Sequence, residues 1–114
     1  MNRIEILFVV LLNIAIFGMI FNFLAITNNY CKMPIQTSHD FFVDNEHSIF
    51  QNKSEVKFYY FTDIFGIDGM LMFSLGDFLM YLGTLGIVFI CFVKLLYFFE
   101  EKYFNKNGIK SKKK

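Results

Sequence analysis

Two long apolar runs, residues 6–26 and 78–99, dominate the pattern of hydrophobic and polar positions along the chain. Each run is close to the roughly 20 residues that an α-helix needs to cross the hydrocarbon core of a bilayer. A polar, acidic stretch separates the two runs, and a lysine-rich tail follows the second. The pattern predicts an all-α membrane protein, a two-span transmembrane helical hairpin. Its parts are a terminus at 1–5, a helix at 6–26, a loop at 27–73, a helix at 74–99 and a basic tail at 100–114.

The distribution of charged side chains predicts an orientation. Residues 27–73 contain three Lys and six acidic residues, a net charge of −3, whereas residues 94–114 contain seven Lys and two Glu, a net charge of +5. Lys and Arg beside membrane spans are retained on the cytoplasmic side. We therefore expect a multi-pass protein of the cell membrane with both termini cytoplasmic and an extracytoplasmic loop. The lysines that set this topology and face lipid headgroups are Lys94, Lys102, Lys106, Lys110, Lys112, Lys113 and Lys114.

The first run favours a retained membrane anchor over a cleaved signal peptide. Its apolar stretch exceeds the roughly 7–15 residues of a signal-peptide core, and no small-x-small cleavage site follows it. The overall net charge of +1 does not indicate a nucleic-acid partner.

A few small or polar residues predict where the helices pack. They are Asn13, Gly18 and Asn22 in or beside the first run, and Gly76, Gly83 and Gly86 in or beside the second. Glycine allows two helices to approach closely, and an Asn amide within a membrane needs a hydrogen-bond partner on another helix. We call Gly76, Gly83 and Gly86 the glycine seam. The seam is suited either to packing against the first span or to docking a partner, and the sequence leaves both alternatives open.

Ser74 and Asp77 stand where the second helix should begin. A Ser followed three residues later by an acidic residue predicts a helix N-cap, with the carboxylate at the positive end of the helix dipole. A second interpretation pairs Asp77 with Asp63, which lies shortly upstream. Two carboxyl groups that share a proton can activate water, as in aspartic peptidases. Asp63 and Asp77 are therefore the weak candidates for catalytic residues.

The stretch between the spans offers fewer signals. Residues 27–56 are polar and show no long period, so we expect a loop with little regular structure. Residues 57–73 are apolar and aromatic, which predicts a segment at the membrane interface. His39, Asp40, Asp44, Glu46 and His47 can each bind metals, but their spacing matches no recognised motif. The sequence predicts no metal site and no cofactor.

Three short segments resemble a known family. Residues 28–35, NNYCKMPI, resemble the Asn-Gly-Gly-x-Met-Pro-Val segment that follows a membrane span in the bacterial domain of unknown function 5317 family. Residues 61–64, FTDI, and 73–83, FSLGDFLMYLG, resemble that family's Leu-x-Asp and Phe-Ser-x-Gly-Asp-x-Leu-x-x-x-Gly segments, in the same order. The resemblance covers about 28–88 and implies a membrane fold, but it implies no particular activity.

The last of these segments is also similar to the C-terminal half of lipoprotein signal peptidase, in which one Asp precedes a Phe-Asn-x-Ala-Asp span. The similarity implies that Asp63 and Asp77 take the two catalytic positions. Ser74 and Gly76 stand where that family has Asn and Ala.

We therefore expect a small accessory or structural membrane subunit that contacts the lipid bilayer and binds a larger membrane protein or itself. An aspartate-dependent membrane hydrolase, or its remnant, is the first alternative. An immunity-type membrane protein is the second. An enzyme is the less favoured class.

Overall fold

The computed structural model describes residues 1–39 and 44–112, with side chains in the last helix described up to residue 108. Two long helices, α1 (Arg3–Thr27) and α2 (Leu75–Lys112), flank a connecting segment, residues 28–74. Asn2 caps α1, because its side chain accepts a hydrogen bond from the Glu5 backbone N–H at 2.9 Å and its own N–H donates to the Glu5 carboxylate. Helix α1 contains the whole first apolar run.

Helix α2 is longer than the second apolar run. It begins three residues before that run and continues without interruption past residue 99 to Lys112. Glu and Lys, which dominate the start of the tail, are good helix formers, so the helical hydrogen-bond ladder continues beyond the apolar residues. Residues 100–112 of the tail are therefore an extension of the helix rather than a separate segment.

The two helices pack antiparallel along a stripe of small residues. A Cβ atom at Gly18 would lie 2.5 Å from the carbonyl oxygen of Gly76, and one at Gly83 would lie 2.6 Å from the carbonyl oxygen of Leu11. A Cβ at Gly86 would lie 2.7 Å from a methyl carbon of Leu11. In the structure the glycine seam thus packs against α1, and the close approach of the two backbones requires residues without side chains.

Outside this stripe, the helices leave their apolar surface uncovered. Helix α1 and residues Leu75–Gly108 of α2 are each long and apolar enough to cross a membrane. In the most apolar 18-residue stretch of each helix, only 6% and 11% of the residues, respectively, are buried. Large side chains on the outer faces, such as Phe23, Leu85 and Phe89, are about two-thirds exposed. The two helices are compatible with membrane insertion.

The connecting segment contains two small sheets. Strands β1 (Met33–Gln36) and β2 (His47–Phe50) pair in parallel, with Ile35 opposite Ile49. Strands β3 (Phe65–Ile67) and β4 (Leu71–Phe73) form an antiparallel hairpin. Two single-turn 3-10 helices, Lys53–Glu55 and Tyr59–Phe61, lie between the sheets. The fold of the described residues is therefore mainly helical with two small sheets, whereas the sequence predicted a purely α-helical fold. The strands could not be predicted because three or four residues are too few to show an alternating pattern.

The connecting segment is tied to the end of α1 by hydrogen bonds and by ring stacking. The Asn29 side chain donates to the carbonyl of Ala25 at 2.7 Å and to that of Lys57 at 2.8 Å, and it accepts from the Lys57 N–H at 2.9 Å. The rings of Phe21 and Phe61 stack with centroids 4.4 Å apart. These contacts hold the segment over the paired ends of the helices, where the candidate site lies.

Candidate carboxylate site

The first turn of α2 positions one carboxylate. Ser74 is fully buried, and its hydroxyl accepts a hydrogen bond from the Asp77 N–H at 3.0 Å. In return, the Ser74 N–H donates to the Asp77 carboxylate at 3.3 Å. This is the reciprocal geometry of a capping box. It holds the carboxylate of Asp77 at the positive end of the helix dipole, where a negative charge is stabilised.

Asn22 connects this cap to the other helix. Its Nδ2 donates to Asp77 Oδ1 at 2.7 Å, and its Oδ1 accepts from the Ser74 hydroxyl at 2.6 Å. The sequence predicted that Asn22 is a helix-packing residue. Because Asn22 and Asp77 are 55 residues apart, no local pattern indicated that they are hydrogen-bond partners. The amide thus closes a three-residue network of Asn22, Ser74 and Asp77 across the helix pair.

A strand contact positions the second carboxyl group. The backbone of Asp63 lies beside β1, where its N–H donates to the Pro34 carbonyl at 2.9 Å and its carbonyl accepts from the Gln36 N–H at 3.1 Å. Its side chain is buried, with the residue 3% exposed. Asp63 Oδ1 finds no hydrogen-bond partner among the residues that the structure describes. A buried polar atom without a partner is unusual and costly in a folded protein.

His47, at the start of β2, lies next to this carboxyl group. Its Nε2 is 3.7 Å from Asp63 Oδ2, and its Nδ1 is 3.0 Å from Asp44 Oδ1. Asp44 also accepts hydrogen bonds from the backbone N–H groups of Glu46 and His47, each at 2.7 Å. The hydrogen bond from the His47 ring is the main cause that lowers the pKa of Asp44. The Asp44 carboxylate therefore orients the His47 imidazole towards the carboxyl group of Asp63.

Burial sets the proton affinity of Asp63. Removal from water, and to a lesser extent the negative charge of Asp77, raise the pKa of Asp63 to about 7 against the opposing effect of His47. Near neutral pH, Asp63 therefore holds its proton for much of the time. The neighbouring Asp77 carboxylate accepts hydrogen bonds from the Asn22 amide and the Ser74 N–H, at the N-terminus of α2.

Both carboxyl groups line one cavity of about 340 Å³ at the end of the helix pair. The other polar side chains on its wall are Asn22, Asn45, Glu46 and His47, and its apolar wall comes from Ile26, Cys31 and Met33. The structure thus brings together the two aspartates that the sequence pairs as an alternative, together with His47 and Asn22. Within residues 1–39 and 44–112, no three His, Cys, Asp or Glu side chains are grouped so as to hold a metal ion.

The remaining residues singled out in the sequence lie elsewhere. Asn13 is exposed, and its amide donates to the carbonyl of Val9 one turn earlier at 2.8 Å. Lys94 lies at the opposite end of the helix pair, beside Glu5 on the wall of a cleft of about 390 Å³. Lys102 and Lys106 are exposed on the last turns of α2. The side chains of Lys110 and Lys112, and the whole of Lys113 and Lys114, lie outside the described part of the chain. Asp40 does so as well.

Sequence reasoning missed His47 as a neighbour of Asp63 and Asp44 as the partner of His47. Both occur in the acidic stretch as metal-capable residues, but the contact of His47 with Asp63 depends on the parallel pairing of β1 with β2, which no local pattern reveals. The one available signal was the Asp-x-x-His spacing at residues 44–47, which allows a carboxylate to bond an imidazole within one turn.

A family comparison covers most of the chain. The profile of a family of unknown function (DUF5317) matches residues 7–91, which include most of α1, the connecting segment and about half of α2. The chain belongs to the DUF5317 family. The resemblance predicted from residues 28–88 is thereby confirmed, and every residue that lines the carboxylate cavity lies inside the DUF5317 match. The chain matches no curated protein and no solved structure, so the similarity to lipoprotein signal peptidase is not shown.

Proposed function

We propose that this DUF5317 protein is a two-span integral membrane protein with an aspartate-pair hydrolytic site at one end of its helix hairpin. In this function Asp63 gives a proton to the substrate, and Asp77 receives one from water. The observation that supports this function best is the placement of a buried, unpartnered Asp63 carboxyl group on the same cavity wall as Asp77. Pairs of carboxyl groups whose surroundings favour opposite protonation states are the usual basis of acid–base catalysis at neutral pH.

The chemistry follows from these two roles. A water molecule between the carboxyl groups gives a proton to Asp77 as its oxygen attacks the carbonyl carbon of an amide or ester, while Asp63 gives its proton to the carbonyl oxygen. The tetrahedral species then returns a hydroxyl proton to Asp63. Asp77 transfers its proton to the leaving nitrogen or oxygen, the bond to the carbonyl carbon breaks, and the acid and amine or alcohol depart. Both aspartates end as they began.

Asn22 and His47 support this cycle without reacting. The Asn22 amide donates a hydrogen bond to one carboxylate oxygen of Asp77 at 2.7 Å and so fixes the orientation of that carboxylate. His47, anchored by Asp44, faces the second oxygen of Asp63 and limits how far the pKa of that carboxyl group rises. A substrate at this cavity is a carbonyl compound held beside the membrane surface, because the cavity lies where the helices meet the connecting segment.

A carboxylate-directed epoxide tests the pair without knowledge of the substrate. The Asp77 oxygen attacks an epoxide carbon, the ring C–O bond breaks and the alkoxide takes the Asp63 proton, which leaves an ester on Asp77. Mass spectrometry of the purified protein in detergent should find this ester on Asp77, and the D63N variant should lose most of it. The matched control E46Q removes a carboxylate of the same cavity and should keep full labelling.

Hydrolysis provides the second measurement. A quenched fluorogenic library of membrane-type peptides and esters should show cleavage that disappears in both D63N and D77N and persists in E46Q. Labelling spread evenly over exposed carboxylates, or cleavage that survives both aspartate variants, would contradict the proposal.

A second candidate, an accessory membrane subunit, is supported by the large uncovered surface of the helices. Because the glycine seam packs against α1, a partner would contact the outer, phenylalanine-rich faces instead. Purification of the wild-type protein in mild detergent tests this role. A stoichiometric companion that also binds the D63N/D77N double variant favours the subunit role, and a lone monomer contradicts it. In either role we propose that both termini are cytoplasmic, as the lysine distribution indicates.

A further inference from the structure

The β3–β4 hairpin has one polar side and one apolar side. Gly66 in β3 and Gly69 in the turn have φ angles of 120° and 82°, which lie in the region that favours glycine. The rings of Phe65 and Phe73 face each other across the strands with centroids 6.1 Å apart. The nine residues from 65 to 73 include one ionisable side chain, Asp68.

The polar side of the hairpin faces the rest of the protein. The Asp68 carboxylate accepts hydrogen bonds from the hydroxyl groups of Thr37 and Ser38. A Cβ atom at Gly69 would lie 2.9 Å from Nε2 of His39, so this side of the turn is in close contact with the segment after β1. The Asp68 carboxylate is thereby bonded to the segment after β1, while the residue itself stays exposed to solvent.

The apolar side is unusually exposed. Ile67 is 64% exposed, Met70 76% and Leu71 65%, and Phe65 is 41% exposed. Of the neighbouring aromatic residues, Phe61 stacks on Phe21 and Tyr59 donates to the Gln36 side chain at 3.0 Å, whereas Phe58 and Tyr60 are 45% and 62% exposed. Residues 57–64 therefore alternate between packed and exposed rings, and the hairpin exposes a continuous apolar side.

We infer that the apolar side of the hairpin inserts into the boundary between lipid headgroups and acyl chains. Ser74 alone separates β4 from α2. At roughly 3.3 Å per strand residue, Leu71 and Met70 lie within about 13–17 Å of the start of α2 along the chain. The headgroup layer on each side of a bilayer is about 5–8 Å thick. If α2 crosses the membrane from its first turns, the hairpin reaches this layer. The hydrogen bonds of Asp68 to Thr37 and Ser38 keep its carboxylate beside the segment after β1 while the apolar side chains enter lipid.

The absence of tryptophan from the chain makes a direct test available. The variants I67W and M70W each place a single tryptophan on the apolar side, and S54W places one on the exposed 3-10 helix as a matched control. The proteins are reconstituted into phosphatidylcholine vesicles, with or without acyl chains brominated near the headgroup. We expect brominated lipid to quench most of the emission of I67W and M70W and little of that of S54W, with a blue-shifted maximum for the hairpin variants.

Other outcomes identify other occupants. If aqueous acrylamide quenches I67W and M70W as strongly as S54W, the hairpin lies in water and the inference is wrong. If neither acrylamide nor brominated lipid quenches them, and dilution into excess lipid changes the result, a second copy of the chain covers the hairpin. Protection that survives dilution indicates another part of the same protein. These readouts do not depend on the aspartate pair, so they stand or fall independently of the proposed hydrolytic function.

Discussion

Replacement of Asp63 by Asn should remove most of the pH dependence of the stability of the connecting segment. The ordinary pKa of the side chain is 3.8, and the folded structure raises it to about 7. The folded state therefore binds a proton more tightly than the open state, and stability falls as pH rises between these two values. Below about pH 4 the Asp63 carboxyl group is protonated in both the folded and the open state. Above about pH 7 it is ionised in both states, and the folded state carries the full free-energy cost of the buried charge.

The size of the effect follows from the two pKa values. Linkage gives a loss of at most about 2.6 kcal/mol between pH 5 and pH 8, equivalent to an approximately 100-fold change in the opening equilibrium. The nearly complete burial of Asp63 means that solvent screening reduces this figure little. In D63N no proton is exchanged at this position, so the same pH change should leave the opening equilibrium almost constant.

Amide hydrogen exchange at Gln36 measures this equilibrium, because the Gln36 N–H donates to the Asp63 carbonyl. The protein in lipid nanodiscs is compared at pH 5 and pH 8, with the intrinsic exchange rates corrected for pH. The E46Q variant, which neutralises an exposed carboxylate on the same cavity, should retain the wild-type pH dependence. A wild-type protection factor that does not fall with pH, or an equal fall in D63N, would refute the reasoning about burial.

Three further predictions concern the helix pair and its orientation. The G83L variant should separate the helices and lower stability in detergent by several kcal/mol, because the new side chain would overlap the Leu11 carbonyl. The control variant G108L should change the melting temperature little, because a Cβ atom at Gly108 meets no heavy atom within 4 Å. The N22L variant should lower stability by about 1–3 kcal/mol, because Ser74 and Asp77 lose their amide partner. The control variant N13L should be nearly neutral in the same melting assay, because the Asn13 amide donates to a carbonyl of its own helix. Cys31, which is exposed on the connecting segment, should react in intact cells with a membrane-impermeant maleimide; labelling only after the membrane is opened would reverse the proposed orientation.

The sequence predicted the helices well because their signals are local. Run length and hydropathy identify α1 and the apolar part of α2 without any knowledge of tertiary structure. The same holds for Ser74 and Asp77, whose three-residue spacing contains the geometry of a cap. The end of α2 was missed because the tail was interpreted from its charge, which determines topology, rather than from its helix propensity.

The candidate site was predicted only in part because its contacts join distant parts of the chain. Asp63 and Asp77 could be paired as an alternative, but their meeting depends on the hairpin between them and on the bridge from Asp63 to Ile35. The positions of His47 and Asn22 depend on strand pairing and on helix register, respectively. Four-residue strands have too few side chains for an alternating pattern to identify them.

The uninterrupted course of α2 has a mechanical consequence. No proline breaks its 38 residues, so at 1.5 Å per residue it is a rod of about 57 Å whose first turn contains Asp77. A tilt of about 10° pivoting at that turn would sweep the opposite end through about 10 Å. Any tilt about the turn that contains Asp77 would thus be largest at the lysine-bearing end, far from the carboxylate cavity.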